Sequence, residues 1–460
     1  LDVIEQVLSH SCLAGWHGFG VVVQAFGKRA SHVLDWLYTL SQQLDRQIMV
    51  RLVKGAYWDA EIKRSQVLGL PGFPVYTRKA CTDVAYLACA RQLLTMNDHI
   101  YAQFATHNAH SVAAITHMAQ GKLFEFQRLH GMGESLYKQV MQSGEVRCRI
   151  YAPVGAHQDL LAYLVRRLLE NGANSSFVHQ LVNPDIAPET IAKDPLSVLE
   201  QRCQQGLPLA SEVIVPAQRL FGSQRDNAKG WDITDPLVVA DLYRAQTDWQ
   251  PYQWQAQPLL QTPSEVDNKR LVINPALADD VVGTVYDVTQ QQLQTAIVDA
   301  GSGQGVWSAM PAAERQACFV RLARLYEQHA PELFSLLCRE AGKTWLDAVG
   351  EMREAVDFIR YYGHEMMARP DAERRGVITC ISPWNFPLVL AARKISTALA
   401  AGCSVICKPD VITPGTVMEL VDIINQCGVP PGVVNLLSGD PAKITSQLIS
   451  SDIVKKISLT

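Results

Sequence analysis

The chain has 460 residues, 48% of them hydrophobic, enough for several cores and the equivalent of roughly three average domains. Lys plus Arg number 41 and Asp plus Glu 45, and the resulting formal net charge of −4 leaves no electrostatic footprint for nucleic acid. The 11 cysteines are scattered without a CxxC pair, so they suggest neither a metal site nor a disulfide framework and fit a reducing cytoplasm, and no apolar run is long enough to span a bilayer.

Residues 2–13 have helical spacing, through Val3, Ile4, Val7 and Leu8. A strand is expected over 19–24, a helix over about 31–45, and a second strand over 48–53. This second strand is a nearly continuous apolar run interrupted by Arg51, as a strand buried on both faces requires. It leads into Lys54-Gly55-Ala56-Tyr57-Trp58, where small residues allow another backbone or a flat ligand to approach. The pattern predicts a short helix over 61–67, a loop at 71–74 and a helix over 82–94. Three further strands are expected: 101–105, ending in Thr106-His107-Asn108; 124–129, ending in His130-Gly131; and 149–152, ending in Pro153-Val154-Gly155. A helix over 160–170 carries Arg166, Arg167 and Glu170. Alternating strands and helices mean a parallel sheet, and polar clusters recurring at strand C-termini favour a barrel over an open sheet.

The composition changes at Asn183-Pro184-Asp185, and residues 186–265 read as a linker with a helix over 195–205. A second α/β pattern runs from 266 to 460. Asn274-Pro275 precedes a helix containing Leu293, Ala296, Ile297 and Ala300. Long helices over 312–341 (with a break near Pro331) and 345–364 come before strands at 377–381, 404–408 and 433–436. These strands alternate with helices over 388–401 and 414–426, the doubly wound arrangement used for dinucleotides. Leu1 falls inside a helical pattern and Thr460 just after a strand-like run, so both ends read as cut from a longer protein.

The first part resembles a known family. VVVQAFGKRA (21–30), VRLVKGAYWDAEIKRSQ (50–66), FPVYTRKACTDVAYL (73–87), QFATHNAHS (103–111), EFQRLHGMGE (125–134), RIYAPVG (149–155) and YLVRRLLENGANSSFV (163–178) are similar to the later strands of proline dehydrogenase barrels, in particular those of the bacterial bifunctional proline utilisation flavoenzymes. Residues 1–185 are then the C-terminal part of such a barrel. The resemblance implies FAD across the strand ends. Gln24 and Arg51 would hydrogen-bond the isoalloxazine, Val53, Gly55 and Ala56 would present backbone to it, and Trp58 would stack near the adenine. Thr77, Arg78, Lys79, Thr106, His107 and Asn108 would hold phosphates and ribose. Tyr57, Leu129 and Tyr151 would wall the ring of L-proline, with Arg166 and Arg167 forked onto its carboxylate and Glu170 orienting the pair. Arg128 departs from the family, which tends to have a small residue there, and the barrel's first three strands are unaccounted for.

NPALADDVVGTV (274–285), VWSAMPAAER (306–315), EAGKTWLDAVGEMREAVDFIRYY (340–362), CISPWNFP (380–387), ALAAGCSVICKP (398–409) and GVPPGVVNLLSGDP (428–441) resemble NAD(P)-dependent aldehyde dehydrogenases. The resemblance implies that Asn385 donates to a substrate oxyanion, that Lys408 reaches the cofactor ribose, and that Ile381, Ser382, Pro383 and Trp384 wall the NAD site. Val411 replaces the usual acidic ribose acceptor, and Cys380, Cys403 and Cys407 read as small core residues rather than nucleophiles. The implied function is proline catabolism: FAD-dependent oxidation of L-proline to pyrroline-5-carboxylate, then NAD-dependent oxidation of glutamate semialdehyde to glutamate. A quinone at the membrane surface is the implied electron acceptor, the implied location is the cytoplasm with peripheral contact to the inner membrane, and the complete protein is expected to be a homo-oligomer. The residues present imply an incomplete and weakly active or inactive form, and the alternative is a non-catalytic remnant acting as a binding or assembly module.

Overall fold

The computed structural model of the chain describes residues 1–142, 144, 146–172, 187, 189, 192–261, 268–370 and 372–460, with the side chains of 166–172 excepted. The chain divides into two compact units, Leu1–Ser65 with Gly72–Val215, and Gln66–Pro71 with Pro216–Thr460.

The first unit is built on five parallel strands that lie in the sheet in chain order: β1 (Gly20–Gln24), β2 (Ile48–Val53), β3 (Ile100–Ala105), β4 (Phe124–Leu129) and β5 (Arg147–Tyr151). The helices are α1 (Asp2–Leu8), α2 (Ala30–Gln43), α3 (Trp58–Val67), α4 (Lys79–Thr95), α5 (Ala109–Ala119), α6 (Glu134–Met141), α7 (His157–Gly172) and α8 (Pro195–Gln204). The strands therefore form as the sequence predicts. Helix α4 starts three residues earlier than expected, because Lys79 and Asp83 pair one turn apart at 2.6 Å and support the first turn. Helix α1 stops at Leu8, and the remainder of the expected helix is a single 3-10 turn over Ser11–Leu13, in which the Cys12 N–H donates to the His10 ring.

Period-two alternation divides the sheet into two unlike faces. Ile48, Val50, Leu52, Ala102, Phe104, Phe124 and Phe126 face the helices and form a core with Leu34, Leu37, Tyr86, Leu93 and Tyr137. Phe124 and Phe126 pack edge to face at 5.2 Å between centroids, and Phe126 meets Tyr137 at 5.7 Å. Each fully buried side chain of this size contributes roughly 2–3 kcal/mol. The opposite face carries Gln24, Arg51, Gln103, Glu125, Gln127, Arg149 and Tyr151, at positions in register across the strands. Among the described residues it is largely polar, and the core of the unit lies on the other face.

The second unit contains a four-stranded parallel sheet of order β11-β10-β9-β12, made of β9 (Val377–Ile381), β10 (Val405–Lys408), β11 (Val434–Leu436) and β12 (Val454–Leu459). The chain winds outward from β9 to β11 and then returns to the other side of β9. This places a topological switch point between β9 and β12, where open α/β sheets hold their ligands. A smaller sheet of order β6-β8-β7 joins β6 (Trp254–Ala256), β8 (Leu277–Tyr286) and β7 (Lys269–Asn274). Sequence analysis anticipated no strand here. Asn274-Pro275 turns out to be the hairpin turn between β7 and β8, its geometry set by Asn274 accepting from the Ala276 N–H at 2.9 Å. A Cβ on Gly283 would lie 2.1 Å from the Trp254 carbonyl oxygen, so β6 can pair only against glycine at that position.

The helices of this unit are α9 (Pro236–Gln246), α10 (Gln290–Ala309), α11 (Ala312–Gln328), α12 (Ala330–Ala341), α13 (Trp345–Ala368), α14 (Pro387–Ala400), α15 (Pro414–Gln426) and α16 (Pro441–Ser450). The break expected near Pro331 falls at His329, with Pro331 in the first turn of α12, where its missing N–H costs nothing. No described helix is long and apolar enough to cross a membrane.

Gly55 has φ +135°, and a Cβ there would lie 1.4 Å from the Phe26 ring. Its smallness is thus demanded by Phe26 as well as by its backbone. Gly55→Ala should destabilise the first unit by about 2–4 kcal/mol. Gly72→Ala, where nothing lies within 4 Å, should be near neutral. Urea unfolding of both variants checks the pair.

Candidate functional site

In a parallel sheet every strand ends on the same side. In the first unit the last residues of four strands are Gln24, Val53, Leu129 and Tyr151, and β3 runs directly into Thr106. The structure therefore gathers these expected site residues on one rim. Three contacts tie the rim together. Gln24 Oε1 accepts from the Ala56 N–H at 2.9 Å, which fixes the turn after β2. His107 Nε2 accepts from the Leu129 N–H at 3.3 Å. The Arg51 guanidinium lies 4.7 Å from the Tyr151 ring centroid, although β2 and β5 are separated by two strands. Flat neighbours at that remove stand about 14 Å apart, so the contact fits a sheet curled toward its polar face. Tyr57 is 53% exposed and has φ +65°, an uncommon conformation for an aromatic residue.

The residues expected at the phosphates sit beside the rim and are already engaged. Trp58 Nε1 donates to the Tyr76 carbonyl at 2.7 Å, and the Tyr76 N–H donates to the Phe26 carbonyl at 2.9 Å, so the 73–79 loop is stapled to the end of β1. Thr77 Oγ1 accepts from the Ser211 N–H at 2.9 Å, and Arg78 donates to the Leu209 and Ala210 carbonyls at 3.3 and 3.1 Å. Asp83 binds both Lys79 and Lys54. Burial pushes the Asp83 carboxyl up, but the two ammonium groups outweigh it and hold the group below its ordinary value. Asn108 caps α5, accepting from the Ser111 N–H at 2.9 Å, and Thr106 accepts from the Asn108 N–H at 3.1 Å. Arg166, Arg167 and Glu170 lie on α7, and their side chains fall outside the described residues. Arg128 points to the helix side of β4, where it donates to the Met132 carbonyl at 3.2 Å.

Several residues that sequence analysis did not single out organise this face. Glu125 accepts from Arg149 Nε and Nη2, both at 2.8 Å, from Gln103 Nε2 at 2.9 Å and from Tyr101 at 3.2 Å. Gln127 Nε2 adds a further donor at 2.8 Å. The signal was available: Glu125 and Gln127 alternate with Phe124 and Phe126, a half-buried strand with a polar inner face.

In the second unit, Ile381, Lys408 and Leu459 end their strands at one level, since Ile381 is the register partner of both others. The Ser382 N–H donates to the Lys408 carbonyl at 3.2 Å, continuing the ladder into the loop. Ser382 is buried and its hydroxyl has no hydrogen-bond partner among the described residues, Pro383 is half-buried, and Trp384 and Asn385 are exposed. Lys408 is buried, which lowers its ammonium pKa against the opposing pull of Asp410. Asp410, beside the unusual Val411, turns back to accept from the Ile412 N–H at 3.0 Å. Cys403 is buried, and burial pushes the Cys380 thiol to about 12 and the Cys407 thiol well above its ordinary value.

The helices that follow β9 and β10 take their caps from elsewhere in the unit. Glu351 of α13 accepts from the Leu388 and Val389 N–H groups of α14, both at 3.2 Å, and pairs with Lys343 at 3.1 Å. Lys343 in turn lies 4.1 Å from the Phe386 ring centroid, which anchors the loop holding Asn385. Glu340 of α12 accepts from the Gly415 and Thr416 N–H groups of α15, each at 2.7 Å, and from the Thr416 hydroxyl at 2.6 Å. Both helix N-termini are therefore occupied by carboxylates and closed to a cofactor phosphate.

Comparison with known proteins bears on this geometry. The proline dehydrogenase family profile matches residues 1–180, and the aldehyde dehydrogenase family profile matches residues 262–460. The chain is 45% identical to the bifunctional protein PutA of Escherichia coli K12, in an alignment that covers all of this chain and 36% of that protein. The chain is thus similar over its whole length to bifunctional PutA proteins. A crystal structure of Bradyrhizobium japonicum proline utilization A matches with a TM-score of 0.84 at 39% identity, covering 99% of this chain and 45% of that one. The structure of the Bdellovibrio bacteriovorus protein inactivated by N-propargylglycine gives 0.86 at 28% identity, covering all of this chain and 49% of that one. The chain thus spans about a third of the length of the PutA proteins it matches by sequence. The fold class follows: a proline dehydrogenase-type barrel sheet, then the doubly wound part of an aldehyde dehydrogenase.

Burial pushes the Glu340 carboxyl up to about 7 against the pull of its three donors. An unfolded glutamate titrates near about 4.3. Between those values the folded chain holds a proton that the unfolded chain releases, so stability should fall as pH rises from about 4.5 to 7. Glu340→Gln, a neutral isostere of the protonated acid, should flatten that part of the profile and change stability little at pH 5. Melting temperatures across pH 5–8 check both statements.

Proposed function

We propose that the first unit holds FAD along the C-terminal rim of β1–β5 and oxidises L-proline to pyrroline-5-carboxylate. We propose further that the second unit holds NAD at the ends of β9, β10 and β12, as the cofactor-side part of a machine that oxidises glutamate semialdehyde to glutamate. The carrying observation is the convergence of Gln24, Arg51, Val53, Leu129 and Tyr151 on one polar rim. The flavin fits the residues present: Arg51 Nε is buried without a hydrogen-bond partner among the described residues, on the polar face of the sheet. NAD fits at the switch point, where the buried hydroxyl of Ser382, just after β9, has no hydrogen-bond partner among the described residues.

FAD, when bound, accepts the hydride from proline C5. The protein's part is positioning and charge. Arg51 and Gln24 hydrogen-bond the isoalloxazine, and the Arg51 cation favours the extra electron density of reduction. Val53, Gly55 and Ala56 lay backbone along it, and Trp58 stands near the adenine. Thr77, Arg78, Lys79, Thr106, His107 and Asn108 form the polar corner for phosphate and ribose. Tyr57, Leu129 and Tyr151 wall the proline ring, while Arg166 and Arg167, oriented by Glu170, clamp its carboxylate. In the second unit Lys408 reaches the ribose, and Ile381, Ser382, Pro383 and Trp384 wall the nicotinamide cofactor. Asn385 donates to the aldehyde oxygen as charge builds on it. The boundaries of this reading are 1–185 for the barrel part, 186–265 for the connection and 266–460 for the dehydrogenase part. Its setting is cytoplasmic, with a quinone at the inner membrane surface taking the electrons and the complete protein acting as a homo-oligomer.

Flavin binding tests the reading without relying on turnover. Arg51→Met keeps the bulk of the side chain and removes its donors. It should weaken FAD binding by about tenfold or more, the worth of one charge-assisted hydrogen bond. Fluorescence titration of FAD into the parent and the variant measures this. Equal affinity in both, or no binding by the parent, overturns the assignment.

A further inference from the structure

Away from the strand ends, the second unit brings together three metal-ligating groups. His329 closes the junction between α11 and α12, Glu332 stands in the first turn of α12, and Glu419 projects from α15, which packs on α12. One imidazole nitrogen and one oxygen from each carboxylate lie within 4.8 Å of one another. His329 Nδ1 stands 3.2 Å from Glu332 Oε2. The other Glu332 oxygen accepts from Trp254 Nε1 at 3.1 Å, so the carboxylate is held with its free oxygen turned to the cluster. Indirect support of this kind fixes ligands in natural metal sites.

Burial makes the cluster unusual. Glu332 is 6% exposed and Glu419 9%. Glu332 is satisfied by Trp254 and His329, but Glu419 has the like-charged Glu332 and Asp422 beside it and no hydrogen-bond donor among the described residues. Two desolvated carboxylates this close need a positive charge between them or a proton on one of them. His329 completes a donor set of one nitrogen and two oxygens, which suits a borderline divalent ion. Around zinc, donors bound at about 2.0–2.2 Å stand roughly 3.3–3.6 Å apart, so closing on an ion needs only about 1 Å of side-chain movement. The His329 side chain is 31% exposed, which leaves an entry path and room for water as a fourth ligand.

We propose that His329, Glu332 and Glu419 form a site for a divalent transition-metal ion of the zinc class, which pins α15 to the α11–α12 junction. Cysteines elsewhere could also take up zinc, so the probe has to distinguish nitrogen and oxygen ligation from sulfur. The full chain, stripped with chelator, is titrated with Co²⁺ and then Zn²⁺. The site should take up one equivalent with weak visible d–d bands and no thiolate charge-transfer band, and Zn²⁺ should displace the Co²⁺. Glu419→Gln and His329→Ala should each weaken that uptake by at least about tenfold. Zn²⁺ should raise the melting temperature of the parent more than that of either variant. If Glu419→Gln fails to fold, His329→Ala, at a half-exposed position, carries the comparison. Absence of a sulfur-free Co²⁺ spectrum in the parent, or undiminished uptake in the variants, overturns the proposal.

Discussion

The first unit depends on one buried charge. Glu125 sits in the middle of a sheet face that hydrophobic burial would otherwise close, and it is held there by Arg149, Gln103, Gln127 and Tyr101. Burial pushes its carboxyl up, yet these donors hold it below its ordinary value, so it is ionised at neutral pH. An ionised carboxylate cannot be covered by an apolar layer, and removing its partners would leave it uncompensated. The sheet therefore keeps one dry face for helices and one polar face. The parallel register then delivers the ends of all five strands to the rim of that polar face.

The second unit solves a different problem by the same means. Its helices α14 and α15 follow strands directly and lack local side-chain caps. Glu351 and Glu340, reaching in from α13 and α12, cap them instead. These carboxylates make the helix order and the strand-end loops mutually dependent: Lys343 pairs with Glu351 and covers Phe386, which fixes the loop around Asn385. They also direct any cofactor phosphate away from these two helix ends.

Much of this was legible in the sequence because the controlling signals are local. The strands at 48–53 and 101–105 are apolar runs bounded by turn residues, and the clusters after them mark the rim. The tertiary reasons were not legible. Gly55 reads as an opening for a ligand, yet the atom it avoids is in Phe26, 29 residues earlier in the chain. Thr77 and Arg78 read as phosphate ligands, but they also hold residues 209–211, from a stretch whose composition suggests only a connection. The β6-β8-β7 sheet was missed because β6 is three residues long and its pairing depends on Gly283 far along the chain. The cluster of His329, Glu332 and Glu419 was invisible for the same reason: its third member is contributed by a helix 87 residues later.

The central claim is that the polar rim of β1–β5 is where the first unit takes its flavin. Hydrogen–deuterium exchange of the chain with and without FAD tests it most directly. The account predicts slower exchange, on adding FAD, in peptides covering the strand ends at 24–27, 53–58, 104–108 and 129–132, with the helix-facing core unchanged. Flavin binding that leaves these peptides unprotected, or that protects only other parts of the chain, would contradict it.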